Sequence, residues 1–275
     1  MIVDRKGLTT VSSNDGVKYA SWDLWEPKSY LKTYFSKLGP DSIKTAKFLT
    51  KELKKFEGKK LNRILEFGSG PTLFGAIPAA PYTEVIDVAD YLESNLQEIR
   101  YCFDNKKMGF DWNDYIKLIL NLEGAEINKA SLKKRMALLK KSIRFFHCDA
   151  SLSHPLGPNV KKYPLVISAF CADSATSSKE IWRIYMRNII GMVSAGGTIL
   201  ISALRNCASY KVGNYDFPCA KIDENDLFSI LSNNGYQKNN ISIEICSVPE
   251  CKSEGFTSMM LACASFKIPL ITNLK

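Results

Sequence analysis

The chain alternates short apolar runs with longer stretches in which apolar residues recur at helical spacing. A short apolar run bounded by turn signals is typical of a buried strand. Seven such runs predict strands at residues 63–67, 84–88, 143–148, 165–170, 198–204, 241–246 and 258–266. Helical periodicity predicts helices at about 72–79, 93–103 and 178–193, and one that begins after Asp223 and reaches Asn233.

Strands that alternate with helices predict an α/β fold: a doubly wound, mostly parallel sheet of seven strands with helices on both faces. The last two strands follow each other without a helix, which predicts an antiparallel strand at one edge. Ligands of such sheets bind at the carboxyl ends of the strands. Gly68, Asp90, Asp149 and segment 168–173 fall at such ends, so we expect them to share one edge of the sheet.

Aromatic residues are concentrated ahead of the first strand, at Trp22, Trp25, Tyr30, Tyr34 and Phe35. Pro27 suits the first turn of a helix that places Tyr30 and Tyr34 on one face. Such a stretch ahead of a nucleotide-binding core can serve as a lid, or can simply pack on the sheet. The sequence leaves both interpretations open.

These patterns divide the chain into an N-terminal helical lid, 1–60, and a core, 61–275, with a helical insertion at about 104–141. Residues 1–15 are polar and without a period, and we expect them to form a loose tail. Asp41 and Ser42 are expected to cap a helix that reaches about Phe56.

An apolar run ends directly in the turn Gly68-Ser69-Gly70. Glycines there let the backbone turn sharply and approach a ligand closely. Asp90 follows Gly70 by 20 residues, the spacing at which a carboxylate accepts hydrogen bonds from ribose hydroxyls. Leu73 stands where a dinucleotide fingerprint has its third glycine, which favours an adenosyl ligand without phosphates. The alternative is a turn whose glycines serve packing alone.

The composition is ordinary for a globular protein, with 45% hydrophobic and 24% charged residues among 275. No apolar stretch approaches the roughly 20 residues of a membrane span, and the N-terminus lacks the apolar region of a signal peptide. The eight cysteines are scattered, which is typical of reduced thiols in a cytoplasmic protein. With two histidines, no metal site is expected. We therefore expect no membrane partner. The expected oligomeric state is a monomer or a weak dimer.

The net charge of +9 raises the question of an anionic partner. Much of it lies in two lysine-rich segments, 44–60 and 129–144. In the second, Leu132, Met136 and Leu139 recur at helical spacing, which favours a solvated helix face. Since no aromatic-interleaved or helix-turn-helix pattern accompanies the charge, nucleic acid is not the expected partner.

Several segments together resemble a known family. They are Tyr30-Leu31-x-x-Tyr34-Phe35, Gly68-Ser69-Gly70-Pro71-Thr72, Asp90-Tyr91-x-x-x-Asn95-Leu96-x-Glu98, Phe110-Asp111-Trp112, Cys148-Asp149, Ser168-x-x-Cys171-x-Asp173, Gly196-Gly197 and Tyr210-x-x-Gly213-x-x-x-Phe217. Their order resembles the nicotinamide, phenylethanolamine, indolethylamine and thioether methyltransferases, the NNMT/PNMT/TEMT family of class I S-adenosylmethionine-dependent methyltransferases.

The resemblance implies a Rossmann-like class I fold, S-adenosylmethionine as cofactor and S-adenosylhomocysteine as product. The cofactor-binding residues it implies are Tyr30, Phe35, Gly68, Ser69, Gly70, Thr72, Asp90, Tyr91, Asn95, Asp149, Ala150 and Ala169. The carboxylates of Asp90 and Asp149 would accept hydrogen bonds from the ribose hydroxyls and the adenine amino group. The aromatic faces of Tyr30 and Phe35 suit a sulfonium cation.

For the acceptor, the resemblance points to Ser202, Arg205, Tyr210, Phe217 and Cys219. Ser202 replaces an acidic residue that in the family helps to hold the amine or amide substrate. Cys219 replaces a small hydroxyl residue of the nicotinamide enzyme. Both departures argue against nicotinamide or a catecholamine as the acceptor. Arg205 is either a ligand for a carboxylate on the acceptor or a surface arginine.

The expected reaction is transfer of a methyl group to a small molecule, with the nitrogen of an amine or azaheterocycle as the favoured acceptor. Such a displacement requires alignment and exclusion of water. Tyr30, Asp173 and Tyr210 are the candidate catalytic residues, since an ammonium must first lose a proton that Asp173 or Tyr210 can relay. The alternatives are methylation of sulfur or oxygen, methylation of a nucleic acid through the basic segment, and a binding-only member of the fold.

Overall fold

The computed structural model of the protein describes residues 19–104 and 109–266, so the predicted tail, 1–15, lies outside the described residues. Nine strands lie within the described part: β1 (Leu61–Phe67), β2 (Thr83–Asp90), β3 (Ile143–His147), β4 (Tyr163–Ala169), β5 (Val193–Leu204), β6 (Ser209–Val212), β7 (Tyr215–Pro218), β8 (Ile241–Ser247) and β9 (Ser258–Ser265). The α-helices of the same part are α1 (Pro27–Phe35), α2 (Pro40–Leu53), α3 (Ala76–Ala79), α4 (Glu93–Tyr101), α5 (Asn113–Glu123), α6 (Lys129–Ser142), α7 (Lys179–Ile190) and α8 (Glu224–Asn233).

Seven of these strands form one sheet, in the order β3-β2-β1-β4-β5-β9-β8. The pairs from β3 to β5 are parallel, whereas β9 pairs antiparallel with both β5 and β8. The predicted mostly parallel sheet of seven strands, with antiparallel pairing at one edge, is therefore confirmed. The strand that runs against the others is β9, which lies next to the edge strand β8.

Successive side chains of the sheet strands enter two different cores. In β1, Ile64 packs with the helices α2 to α6, while Leu65 and Phe67 pack on the opposite face with α7 and α8. This alternation follows from the two-residue period of a strand. The N-terminal helices and the insertion thus lie on the same face of the sheet. No helix of the described residues is long and apolar enough to cross a membrane.

Two helix starts differ from the prediction. The N-cap of α2 is Gly39, and Pro40 is the first helical residue, so Asp41 lies in the first turn instead of capping it. Proline suits this position because its missing N–H would be unpaired there anyway. The helix predicted at 72–79 begins only at Ala76. The Thr72 hydroxyl donates a hydrogen bond to the Ser69 carbonyl (2.8 Å). This bond keeps residues 69–72 in the turn, ahead of the helix.

A hairpin that the pattern did not predict follows β5. Strands β6 and β7 pair antiparallel, with Val212 opposite Tyr215. The two loop residues are Gly213, at φ +59°, and Asn214. A Gly-Asn pair between short strands is a hairpin signal that could have been recognised.

The basic helix α6 exposes Lys129, Lys133, Lys134 and Lys140. Arg135 is the exception, because it is buried against the core. Its guanidinium donates to the Ile77 carbonyl (2.8 Å) and pairs with the Glu123 carboxylate (2.5 Å). The ion pair therefore joins α6 to α5 within the insertion, and the hydrogen bond to Ile77 attaches α6 to α3. The lysines named above face solvent.

Replacing Arg135 with alanine should destabilise the fold strongly. The Glu123 side chain is only 14% exposed, so the variant leaves a largely buried carboxylate without its counter-charge. We expect the free energy of unfolding to fall by about 3 kcal/mol, measured by urea denaturation. Lys134→Ala, at the neighbouring exposed position, is the control and should change it by less than about 0.5 kcal/mol. Equal effects of both variants would contradict this account.

Candidate cofactor and acceptor site

The glycine turn follows β1 and is tied to the end of β2. The N–H groups of Gly68 and Ser69 both donate to the Ala89 carbonyl, at 2.8 and 3.1 Å. Gly68 has φ +68°, and a Cβ atom there would lie 2.0 Å from the Cys171 sulfur. Gly70 has φ +58°, but a Cβ there would meet nothing within 4 Å. Packing therefore excludes a side chain at Gly68, whereas Gly70 borders open space.

Asp90 is buried at the end of β2 and fixes this turn. One carboxylate oxygen, Oδ2, accepts a hydrogen bond from the Gly70 N–H (2.8 Å). The other, Oδ1, accepts from the Leu92 N–H and the Asn95 amide, each at 2.9 Å. Burial raises the pKa of Asp90, and these hydrogen bonds to the charged form oppose that rise. The carboxylate is thus held in one orientation, and Oδ2 retains capacity for a further donor.

A second buried carboxylate, Glu66, lies behind the turn. Its Oε1 accepts a hydrogen bond from the Gly75 N–H (2.7 Å), whereas Oε2 has no partner among the described residues. Burial raises the pKa of Glu66 to about 8. Glu66 connects β1 to the start of α3 and holds the far side of the turn.

The predicted adenine side lies where β2 and β3 end. Asp90 and His147 are paired in register, and the His147 ring lies 5.5 Å from that of Tyr91. Asp149 follows directly and accepts a hydrogen bond from the Ser151 N–H (2.8 Å). The Ala150 carbonyl accepts one from the Asn188 amide (2.8 Å). Tyr91, Asp149 and Ala150 thus lie near Asp90, as the sequence predicted for strand ends.

An aromatic cluster joins the N-terminal segment to the hairpin; we define it as Trp22, Trp25, Tyr30, Tyr34, Phe35, Tyr210 and Phe217. The ring of Tyr30 lies 4.9 Å from that of Tyr34 and 6.2 Å from that of Phe35. The ring of Tyr210 lies 6.0 Å from that of Phe217. Trp25 connects the two groups, 5.1 Å from Tyr30 and 5.2 Å from Phe217. Burial raises the pKa of both Tyr30 and Tyr210, so both phenols are protonated at neutral pH.

Asp173 is buried next to this cluster. Its Oδ2 accepts hydrogen bonds from the Leu204 N–H (2.8 Å) and the Ser174 hydroxyl (3.4 Å). Burial raises the pKa of Asp173 to about 6, so it is ionised at neutral pH. After burial, the charges of Asp41 and then Asp173 contribute to the raised pKa of Tyr30. The Tyr210 hydroxyl donates to the adjacent Ser174 carbonyl (3.3 Å). The structure thus brings together the three side chains predicted to be catalytic.

The ends of β4 and β5 contribute small side chains. Ala169 and Ser202 are paired in register, and Ser202 is buried with a hydroxyl that has no hydrogen-bond partner among the described residues. Phe170 has φ +51°, a strained backbone for a bulky residue, and its N–H donates to the Ser202 carbonyl (2.7 Å). Cys219 is buried, with its sulfur 3.8 Å from the Ser174 hydroxyl.

Arg205 is engaged elsewhere. Its guanidinium forms a bidentate pair with the Glu224 carboxylate at the start of α8, at 2.7 and 3.0 Å. The pair lowers the pKa of Glu224 to about 2 and raises that of Arg205. Its role in binding a carboxylate of the acceptor stays a prediction, and this pair would have to open for it.

Three residues near the site were not among the predicted site residues. They are Glu66 behind the turn, Cys171 against Gly68, and Trp25, whose indole N–H donates to the Asn95 side-chain oxygen (2.8 Å). The aromatic density of the N-terminal segment indicated a contact surface, but a hydrogen bond across 70 residues of chain leaves no local signal.

A sheet in this order, with a glycine turn after its first strand and a buried carboxylate at the end of its second, is the arrangement of the class I S-adenosylmethionine-dependent methyltransferases. The chain belongs to the NNMT/PNMT/TEMT family, whose sequence profile matches residues 17–264. The predicted family, enzyme class and cofactor, S-adenosylmethionine, are thereby confirmed.

Individual relatives agree with this assignment. Indolethylamine N-methyltransferase of Oryctolagus cuniculus is 26% identical over 217 residues, which cover 76% of this chain and 81% of the relative. Nicotinamide N-methyltransferase of Homo sapiens is 25% identical over 218 residues, which cover 77% and 82%. Among solved structures, magnesium protoporphyrin IX methyltransferase from Synechocystis PCC 6803 is similar in fold, with a TM-score of 0.53 at 13% identity over 86% of this chain and 90% of that one.

The described residues fit this cofactor. The space beside Gly70 is open, and the Asp90 oxygen next to it can accept a further hydrogen bond. An adenosyl group without phosphates needs no third glycine, and Leu73 is buried in the core where that glycine would fall.

Asp173→Asn should change how stability depends on pH, because it retains an oxygen for the Leu204 N–H but removes the charge. With a folded-state pKa raised to about 6 from 3.8, the folded chain binds this proton more tightly than the unfolded chain. The wild type therefore loses stability as pH rises from about 4 to about 6. The free energy of unfolding of the variant, relative to wild type, should increase across this range by on the order of 3 kcal/mol and then level off.

Urea denaturation between pH 4 and 7.5 measures this difference. Glu84→Gln, at an exposed position of β2, is the control and should stay within about 0.5 kcal/mol of wild type. A difference between Asp173→Asn and wild type that stays constant with pH would refute the assignment of a proton to this buried carboxyl.

Proposed function

We propose that the protein methylates a nitrogen of a small amine or azaheterocycle that binds against the aromatic cluster. The observation that carries this proposal is the position of the buried, ionised Asp173 among neutral aromatic side chains, next to Tyr30 and Tyr210. Aromatic faces and a carboxylate together favour a flat or cationic nitrogen compound. Relatives of the chain are N-methyltransferases of indolethylamine, nicotinamide and phenylethanolamine, which supports a nitrogen acceptor.

The residues proposed to hold the cofactor lie along the ends of β1 to β4. Asp90 would accept hydrogen bonds from the ribose hydroxyls, and Asp149, with Tyr91 and Ala150, would bind the adenine. The backbone of the glycine turn, 68–70, with Asn95 and Ala169 beside it, would bind the remainder. Thr72 would act by holding the turn, since its hydroxyl is bonded to the Ser69 carbonyl. When bound, S-adenosylmethionine supplies a methyl group that its sulfonium already activates.

The protein's part in the reaction is then alignment and proton transfer. Tyr30 and Phe35 would present their rings to the sulfonium, and Tyr210 and Phe217 would hold the acceptor. Ionised Asp173 would hold an ammonium and accept its proton. Ser202 and Cys219 would contact the acceptor through small side chains. An acidic residue at position 202 would leave less room, so the small side chains admit a larger acceptor.

The N-terminal segment, 1–60, is proposed to act as a lid. The packing of the N-terminal segment against the hairpin supports this role, since the Tyr34 hydroxyl donates to the Lys211 carbonyl (2.8 Å) and the rings of Trp22 and Trp25 each lie 5.2 Å from that of Phe217. A lid of this kind would exclude water from the displacement. We further propose that the protein acts in the cytoplasm as a monomer or weak dimer.

Asp90→Ala tests the cofactor site. The change removes the carboxylate that fixes the turn and is proposed to bind the ribose, so the dissociation constant for S-adenosylmethionine should rise at least about tenfold. Isothermal titration calorimetry measures it, with circular dichroism to verify that the fold is retained. Asp114→Ala, at an exposed position of α5, should leave the affinity within about twofold. Unchanged affinity in Asp90→Ala would exclude this cofactor site.

The acceptor class is tested by measuring S-adenosylhomocysteine formation with a panel of amines, azaheterocycles, thiols and carboxylic acids. We expect turnover with a nitrogen compound and loss of at least about tenfold in kcat/KM in Asp173→Asn. Turnover with thiols or acids alone would reject nitrogen as the acceptor. Absence of turnover with every compound, together with tight cofactor binding, would favour a binding-only member of the fold.

A further inference from the structure

Trp25 is connected to the cofactor side of the site by a continuous chain of hydrogen bonds. Its indole N–H donates to Oδ1 of Asn95 (2.8 Å), and Nδ2 of Asn95 donates to Oδ1 of Asp90 (2.9 Å). The other oxygen of Asp90 accepts from the Gly70 N–H (2.8 Å). Three hydrogen bonds therefore lead from the N-terminal segment to the glycine turn.

The same indole ring belongs to the acceptor side. Its centroid lies 5.1 Å from the ring of Tyr30, 5.2 Å from that of Phe217 and 6.3 Å from that of Tyr210. These distances are those of aromatic pairs that contribute beyond their buried area. The ring of Trp25 thus contacts the other rings of the aromatic cluster. Its N–H is linked to the Asp90 carboxylate through Asn95.

The chemistry of the three groups fixes the orientation of the amide between them. An indole N–H can only donate a hydrogen bond, and both oxygens of the Asp90 carboxyl group act as acceptors for backbone N–H groups. Asn95 must therefore direct its oxygen to Trp25 and its NH₂ to Asp90. The reverse orientation would place the amide oxygen against the carboxylate oxygen. Because Asn95 is buried, either unpaired group would be costly.

We propose that Trp25 is a positioning residue that couples cofactor binding to acceptor binding. By fixing the Asn95 amide, it holds the Asp90 carboxylate in the orientation that the ribose requires. A ligand packed on the aromatic cluster restrains the ring and hence this amide. Since coupling between two sites is reciprocal, bound cofactor strengthens the acceptor side equally. The identities of the two ligands rest on the proposed function; the hydrogen-bond chain does not.

Trp25→Phe tests the positioning role, because it retains an aromatic ring and removes the N–H that orients Asn95. We expect the dissociation constant for S-adenosylhomocysteine, measured by isothermal titration calorimetry, to rise about fivefold, the effect of one hydrogen bond of ordinary net strength. Trp182→Phe is the control, since this indole is buried in the core on the opposite face of the sheet, with α7 and α8, and lies outside the aromatic cluster. This control should bind within about twofold of wild type.

A double-mutant cycle distinguishes positioning from general loosening of the segment. If Trp25 acts through Asn95, Trp25→Phe should cause no further loss of affinity in an Asn95→Ala background. Additive losses, or equal losses in Trp182→Phe and Trp25→Phe, would overturn the proposal. So would wild-type affinity in Trp25→Phe.

A measurement on the wild-type protein does not depend on the folding of a variant. Its four tryptophan indole N–H signals can be followed by nuclear magnetic resonance as S-adenosylhomocysteine is added. The Trp25 signal should shift and exchange more slowly with solvent, and more so than the Trp22 signal; an unmoved Trp25 signal in a saturated sample would overturn the coupling. If the wild type binds no S-adenosylhomocysteine, the proposed function itself fails and the coupling with it.

Discussion

The hydrogen bond between the Gly70 N–H and the Asp90 carboxylate is the contact on which the site depends. This hydrogen bond is 2.8 Å long and joins the turn after β1 to the end of β2. Its acceptor, the Asp90 carboxylate, is buried, and burial makes a carboxyl group costly to ionise. Donors from Gly70, Leu92 and Asn95 offset that cost. A charge held in this way is already oriented before any ligand binds, which is what a preorganised binding site requires.

The N-terminal segment is also linked to this contact, through Asn95 and Trp25. Asn95 extends the hydrogen bonding of Asp90 to Trp25, and the ring of Trp25 leads into the aromatic cluster of α1 and the β6–β7 hairpin. Asp173 supplies a buried carboxylate next to these rings. The cofactor side is therefore polar, while the acceptor side is aromatic with a buried carboxylate beside it.

The sequence was most informative where the signal is local. The apolar run before Gly68 predicted the position of the turn, and the spacing to Asp90 predicted that this carboxylate lies beside it. Both follow because strand ends in a parallel sheet meet at one edge. Helix starts were less reliable, as Pro40 shows. The hairpin at Gly213 and Asn214 lies outside the predicted elements although its signal is local. The Trp25–Asn95 and Arg205–Glu224 contacts could not be predicted, since each joins side chains that only the packed fold brings together.

The most direct test of the central claim is a crystal structure of the protein with S-adenosylhomocysteine. The account predicts that the ribose hydroxyls lie within hydrogen-bonding distance of the Asp90 carboxylate, with the Gly70–Asp90 hydrogen bond intact and the thioether sulfur facing the aromatic cluster. A ligand bound away from the glycine turn, or a ribose that makes no contact with Asp90, would contradict it.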